Sequence, residues 1–284
     1  MPLLFGKPVS EKILSETREK IKGSGVVPGL GVVLVGDDPA SRIYVGIKES
    51  RASELGFRFV KTELPVFATE ADILDAVRKL NKDESVHGII VQLPLPPGID
   101  ADRIITAIDP MKDADGFLLD EKNVTRTHGR EMMLHSVPVF PEAMIELAKS
   151  SGVPFSEKSG VVLVNSERFG KTMVDALRQE GVQSEYVFSD DIGSSRSTIS
   201  RADFVFTALG KPEALSKNMF KKGVVVIDGG IAPSDRKIVG DVSIDGSDEN
   251  MFLSPVPGGV GPVTVACLLR RVVTLALENG KTAA

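Results

Sequence analysis

The sequence predicts an α/β protein of two α/β domains, each built on a parallel sheet. Three features point there. Short continuous apolar runs end in Gly, Pro or Asn, as strands buried on both faces do. Amphipathic helical patterns separate those runs, at the spacing of strand–helix–strand units with right-handed crossovers. A polar, irregular stretch at 118–137 divides the series in two, and 284 residues suffice for two modest domains.

The elements follow in order. "LGVVLVG" (30–36) reads as a buried strand ending in Gly. "DDPAS" is a turn with Ser41 as candidate N-cap of a helix over 41–55, which Gly56 is suited to end. "FRFVKTEL" is a second strand, and "ATEADILDAVRKLNKD" a second helix, opened by a Thr69-x-x-Asp72 capping box. "GIIVQLPLP" (88–96) is another buried strand, closed by prolines, with a helix near 101–108 after it. Beyond 118–137, the helix "PEAMIELAKSSG" (141–152) leads into strands "GVVLVN" (160–165), "SEYVFS" (184–189), "DFVFTAL" (203–209) and "GVVVIDGG" (223–230). A helix from about Gly170 to Gln179 joins the first two, and a last helix at about 263–279 follows the loop "SPVPGGVGPVT".

Composition narrows the function. A net charge of −5 argues against nucleic acid as a partner, because phosphate affinity needs concentrated Lys and Arg. The apolar run at the start is too short for a signal peptide, and no window approaches the length of a membrane span, so no membrane partner is expected. The single cysteine, Cys267, excludes an intrachain disulfide and a Cys-based metal site. His87, His128 and His135 have no metal-ligand spacing and read as surface or core residues, so no metal is expected. A reducing, cytoplasmic compartment is the expectation.

The first strand-to-helix turn of a doubly wound sheet is where a dinucleotide pyrophosphate sits, against the helix N-terminus. Here that turn is "VNSERFGKT" (164–172). Gly170-Lys171-Thr172 also matches the second half of a P-loop, and Asp228 in "VVVIDGG" resembles a magnesium-binding aspartate. The first glycine that a P-loop requires is Asn165, which argues against a nucleotide triphosphatase. A turn with no ligand is the plainer alternative. Asp190 lies where a carboxylate would hold a ribose 2′-hydroxyl, and Asp191 follows it, a register that favours NAD over NADP. Tyr44 and Lys48 lie one turn apart on one helical stripe, which for an isolated pair most simply means a solvated face.

Over nearly its whole length the chain resembles the methylenetetrahydrofolate dehydrogenase/cyclohydrolase family. The matches are "YVGIKES" for Y-V-x-x-K, "GIIVQLPLP", "DPMKDADGF", "ADFVFTALGKP", "VVVIDGGI", "VGDV" and "SPVPGGVGPVT", in the family's order. The resemblance implies NAD(P)-dependent oxidation of 5,10-methylenetetrahydrofolate and hydrolysis of the methenyl product to 10-formyltetrahydrofolate. It makes Lys48 the catalytic lysine, with Tyr44 on the folate and Gln92 orienting Lys48. A polar Gln92 in an apolar run must be satisfied or functional. Asp115 matches the pterin-binding aspartate, with Asp113 as rival or as a turn-stabilising residue. Val91, Leu93 and the loop Pro257, Gly258, Gly259, Val260 and Gly261 complete the implied folate side. Val164, Asn165, Ser166, Gly170, Lys171, Ser189, Asp190 and Ile231 are the implied cofactor contacts.

The departures cluster on that cofactor side. P-C-T-P-x-G is here "PVFPEA", with Val139, Phe140 and Ala143 in place of Cys, Thr and Gly. In G-R-S-x-x-V-G-x-P the Gly is Val164, the Arg is Asn165 and the last Pro is Thr172. C-H-S-x-T becomes approximately "VFSDD" (187–191). Losing charge-assisted grips on a 2′-phosphate should weaken NADP by about two powers of ten. The cofactor expected is NADP or NAD, with NADP held weakly. The expected layout is a catalytic domain at 1–120 completed by the C-terminal helix at about 262–284, a Rossmann-type domain at 138–255, a cleft between them, and a homodimer. A mainly cyclohydrolase enzyme is the alternative, and a non-catalytic folate or nucleotide binder a remote one.

Overall fold

The computed structural model describes residues 2–118, 137–234, 237–243 and 251–280, so most of the predicted linker, with His128 and His135, lies outside the described residues. The chain clusters into two compact units, 13–139 with 265–284, and 1–12 with 140–264. The first twelve residues were expected in the catalytic domain. They cluster with the second unit because Leu4 N–H donates to the Leu253 carbonyl (2.9 Å) and Gly6 N–H to that of Gly258 (2.8 Å).

Helix α1 (Gly6–Ile21) was not anticipated from the sequence. Its buried stripe is Ser10, Ile13, Leu14 and Thr17, a helical period half made of hydroxyl residues and therefore faint. In the unit 13–139/265–284, β1 (Gly29–Val35) is buried throughout, as its apolar run predicts. It pairs in parallel with β2 (Arg58–Leu64) on one side and β3 (Gly88–Val91) on the other. Helix α2 (Pro39–Glu54) begins earlier than predicted. Its N-cap is Asp38 rather than Ser41, whose N–H donates to the Asp38 carboxylate at 2.7 Å. Pro39, preset for a first helical position, draws the start forward. Gly56, at φ 77°, follows the C-cap, where its N–H reaches the Ser53 carbonyl (3.0 Å). Helix α3 (Glu70–Lys82) has the full Thr69–Asp72 capping box, and its Ile73, Val77 and Leu80 pack with Val33, Ile89 and Ile104 of helix α4 (Ala101–Thr106).

Strand β3 stops at Val91, well short of the 88–96 expected. Gln92 N–H makes a last ladder-like bond to the Val33 carbonyl (2.9 Å), and Pro94 has no N–H to continue. Gln92 thus sits just past the carboxyl end of the strand.

The other unit contains α5 (Val139–Lys149), β4 (Lys158–Val164), α6 (Glu167–Gln179), β5 (Val182–Phe188), α7 (Arg196–Ile199), β6 (Phe204–Ala208) and β7 (Val225–Asp228). A hairpin, β8 (Ala232–Ser234) with β9 (Lys237–Val239), and short β10 (Phe252–Leu253) were not anticipated. Strands of two or three residues carry too little pattern to read. The five-stranded sheet runs β10-β7-β6-β4-β5, with every pair parallel. Chain order reverses between β4 and β6, which makes their carboxyl ends a topological switch point. Leu163, Val205 and Val226 centre the core on one face of this sheet.

Helix α8 (Val260–Gly280) closes the described chain. Contrary to the sequence reading, its Val260–Glu278 stretch is long and apolar enough to cross a membrane by length and composition. Val263, Ala266, Leu269, Val272, Val273 and Ala276 are buried in the fold, and a core helix passes the same test.

Candidate active site

Helix α2 carries Tyr44 and Lys48 one turn apart, both half-buried. Lys48 Nζ donates to Gln92 Oε1 at 2.8 Å. Gln92 Nε2 donates in turn to the Leu93 carbonyl at 2.7 Å, which turns the amide oxygen toward the lysine. Burial pushes the Lys48 amine below its usual range, while the nearby Asp115 carboxylate pulls it back up. Burial raises the Asp115 carboxyl to about 6; Lys48 and Arg271 lower it and Asp113 raises it. Burial also raises the Tyr44 phenol, which therefore stays protonated.

The loop carrying Asp115 is tied down at several points. Asp113, only 2% exposed, accepts from Gly116 N–H (2.9 Å) and Leu118 N–H (2.7 Å), which is the turn-stabilising one of its two expected roles. Ala114 N–H donates to the Ile89 carbonyl (3.2 Å), and Val139 N–H to that of Asp115 (2.9 Å). Val91 is buried, whereas Leu93 is partly exposed. Arg271, buried on α8 with its guanidinium donating to the Val137 carbonyl, escaped the sequence reading. The signal was there: an arginine pair inside "CLLRRVVTLAL". His87 is held as a structural residue, its half-buried ring accepting from Gly29 N–H at 3.0 Å.

In the unit 1–12/140–264, Val164 ends β4 fully buried, and the Asn165 side-chain amide donates to the Leu209 carbonyl. That bond spans the switch point between β4 and β6. Ser166 caps α6, its hydroxyl accepting from Phe169 N–H at 3.4 Å. A Cβ on Gly170 would lie 2.7 Å from Tyr186 Cγ, so glycine is what lets α6 approach β5. Lys171 pairs with Glu167 at 2.6 Å on the helix surface, and the Thr172 hydroxyl donates to the Arg168 carbonyl (2.9 Å). Gly170-Lys171-Thr172 therefore runs along a helix and forms no phosphate cradle. Asp228 is likewise engaged, accepting from the N–H groups of Gly230, Asp241 and Val242, while burial raises its carboxyl to about 6.

Beyond β5, the Ser189 hydroxyl accepts from Lys211 Nζ (3.0 Å) and donates to Asp190 (3.1 Å), whose carboxylate is 3.9 Å from the same ammonium. Ile231 is half-exposed just after Gly230. Phe140 packs on Phe169 with ring centroids 5.5 Å apart, and its Cζ lies 2.8 Å from where a Cβ on Gly229 would stand. The loop Pro257–Gly261 belongs to this unit too, with Gly258 at φ 102° and its carbonyl accepting from Gly6.

A strand-order switch point, a capped helix N-terminus and a close helix–strand approach fit a dinucleotide. Among the described residues, no group of three or more His, Cys, Asp or Glu is placed to hold a metal ion. The family model for the tetrahydrofolate dehydrogenase/cyclohydrolase catalytic domain matches residues 4–115, and that for its NAD(P)-binding domain matches residues 138–280. The chain belongs to the tetrahydrofolate dehydrogenase/cyclohydrolase family.

Relatives agree along the full length. A bifunctional FolD protein of Ectopseudomonas mendocina is 39% identical over 282 residues, covering 96% of this chain and 91% of its own. The crystal structure of the Trypanosoma brucei dehydrogenase-cyclohydrolase, complexed with NADP cofactor and inhibitor, superposes at a TM-score of 0.87 with 34% identity and 99% coverage of both chains. The Campylobacter jejuni bifunctional enzyme gives 0.86, with 34% identity and 98% and 99% coverage. A tetrahydrofolate dehydrogenase/cyclohydrolase needs a nicotinamide cofactor, and the second unit has the sheet to receive one.

Proposed function

We propose that this family member oxidises 5,10-methylenetetrahydrofolate and hydrolyses the methenyl product, with Lys48 as the base of the second step. The observation that carries the proposal is the Lys48–Gln92 hydrogen bond beside a carboxyl that burial has raised. Burial lowers the amine below its usual range, which favours the neutral form whose lone pair a water can use. Gln92 keeps one amine proton occupied and fixes the direction of that lone pair. Lys48 takes a proton as the water oxygen bonds to the amidinium carbon. The lysinium returns that proton to the folate N5 as the carbon–N5 bond breaks. The hydroxyl proton of the adduct leaves to solvent as the formyl C=O forms. Tyr44 lies along the folate, and Asp115 accepts from the pterin amino group and ring nitrogen.

For the first step, the nicotinamide supplies the hydride acceptor when bound. Val164, Ser166, Gly170 and Ile231 would hold the dinucleotide at the switch point, with Ser189 and Asp190 toward its adenosine ribose. Asn165, committed to Leu209, brings no cation to a 2′-phosphate, and the Asp190 carboxylate, 3.9 Å from Lys211, offsets the cation placed beside Ser189. NAD is therefore the preferred cofactor. A weakened dehydrogenase is the second reading, favoured by Phe140: its ring fills space beside Gly229 and Phe169 at the carboxyl end of the sheet. A second copy is the proposed protein partner. Among the described residues, edge strand β5 pairs only with β4, leaving one backbone edge for it.

The test titrates NAD and NADP against methylenetetrahydrofolate turnover and follows methenyltetrahydrofolate decay separately. The expected result is hydrolysis well above the buffer rate, with NAD bound at least about tenfold more tightly than NADP. Tight NADP-dependent turnover would overturn the assignment of Asn165 and Asp190. Methenyl decay no faster than in buffer would overturn the hydrolytic assignment.

A further inference from the structure

We propose that Arg271 is a positioning residue for Asp115: its buried guanidinium fastens the strap that holds the Asp115 backbone and sets a permanent positive charge beside that carboxyl. The proposal rests on the reading of Asp115 as the pterin acceptor. All the groups involved lie within the unit 13–139/265–284.

The geometry has two parts. Asp115 sits in a loop gripped from β3 through Ala114 N–H to the Ile89 carbonyl, and from residues 137–139 through Val139 N–H to its own carbonyl. That second grip is fixed at its far end by Arg271, whose Nη2 donates to the Val137 carbonyl. Helix α8 is itself pressed against this loop. A Cβ on Gly88 would lie 2.6 Å from Val272 Cγ2 and 3.0 Å from Ala114 Cβ, so there is no slack between β3, the loop and the helix. Arg271 is only 3% exposed, and a guanidinium does not lose its proton in a protein.

Among the described residues, the charges facing Asp115 come from three elements: Lys48 on α2, Asp113 in its own loop and Arg271 on α8. Gln92, past β3, is neutral. Lys48 must shed its charge to act as a base, and at that moment it stops stabilising the Asp115 carboxylate. Arg271 is the cation that remains. It lets Lys48 cycle between charged and neutral forms while Asp115 stays ionised and keeps the pterin in place. Burial raises the Asp113 carboxyl, and the backbone N–H groups of Leu118 and Gly116 together with the Arg271 charge pull it part of the way back.

The experiment follows the carboxyl resonance of Asp115 against pH in protein isotope-labelled at aspartate, assigned by its loss in Asp115→Asn. Wild type, Arg271→Gln and Arg271→Lys are compared. Arg271→Gln should move the Asp115 midpoint up by roughly half a pH unit or more. Arg271→Lys, which keeps the charge, should restore it. In parallel, the acid limb of kcat/KM for methenyl hydrolysis should move up in Arg271→Gln, with KM changing more than kcat. In unmutated protein the Arg271 side-chain N–H resonance should track the Asp115 titration, a readout that needs no variant to fold. Identical Asp115 midpoints in wild type and Arg271→Gln, or an Arg271 resonance indifferent to that titration, would overturn the proposal. A wild type that titrates as expected yet hydrolyses nothing would count against the assigned activity and leave the Arg271–Asp115 coupling standing.

Discussion

Lys48 and Asp115 each lean toward a neutral form because burial costs a charge more than their mutual attraction returns. That balance yields two predictions. Lys48→Arg keeps the charge and length but cannot offer a neutral amine, so methenyl hydrolysis should fall about 10²–10⁴-fold while folate binding is largely kept. Initial rates with a folate-binding titration check this. For Asp115, the folded carboxyl is raised from 3.8 to about 6. Its contribution to stability is therefore complete below the unfolded value and is lost as pH rises through about 6. Asp115→Asn removes that loss. Its melting temperature should gain on wild type as the pH is raised from about 4 to about 7, while its affinity for folate drops. At this scale Tyr44, Lys48, Gln92 and Asp115 are legible because each stands inside a local motif. Arg271 did not show, because its meaning depends on Val137 and Asp115, more than a hundred residues upstream.

Helices and strands set where those side chains stand, and two contacts are open to direct test. Gly170 lets α6 lie on Tyr186, so Gly170→Ala must push the helix off β5. A loss of ~1–3 kcal/mol in denaturant unfolding is expected, together with weaker dinucleotide binding. Thr69 accepts from Asp72 N–H in the capping box, and Thr69→Ala should cost ~1 kcal/mol with both activities unchanged. The capping box was legible because it is local. The end of β3 was not: Gln92 still makes a strand-like bond to Val33, and only Pro94 ends the ladder. The N-cap of α2 was misplaced by three residues because Asp38 and Ser41 are both good caps and Pro39 decides between them. Helix α1 was missed since half of its buried stripe is hydroxyl.

For the whole molecule, the sequence carried the architecture of each unit, because parallel strands buried on both faces leave continuous apolar runs. It did not carry the grouping of residues 1–12 with 140–264, which rests on backbone bonds from Leu4 and Gly6 to partners near position 255. On the proposed reading Asn165, Asp190 and Phe140 weaken the cofactor side, while Lys48, bonded to Gln92, serves hydrolysis. Sedimentation of the purified protein should find a dimer, and a charge introduced outward on β5, such as Gln183→Lys, should shift it toward monomer. The most direct measurement for the central claim is the decay of added methenyltetrahydrofolate in wild type and Lys48→Ala, with folding checked by melting. The expectation is rapid decay in wild type and a return to near the buffer rate in Lys48→Ala. Decay in Lys48→Ala as fast as in wild type would contradict it.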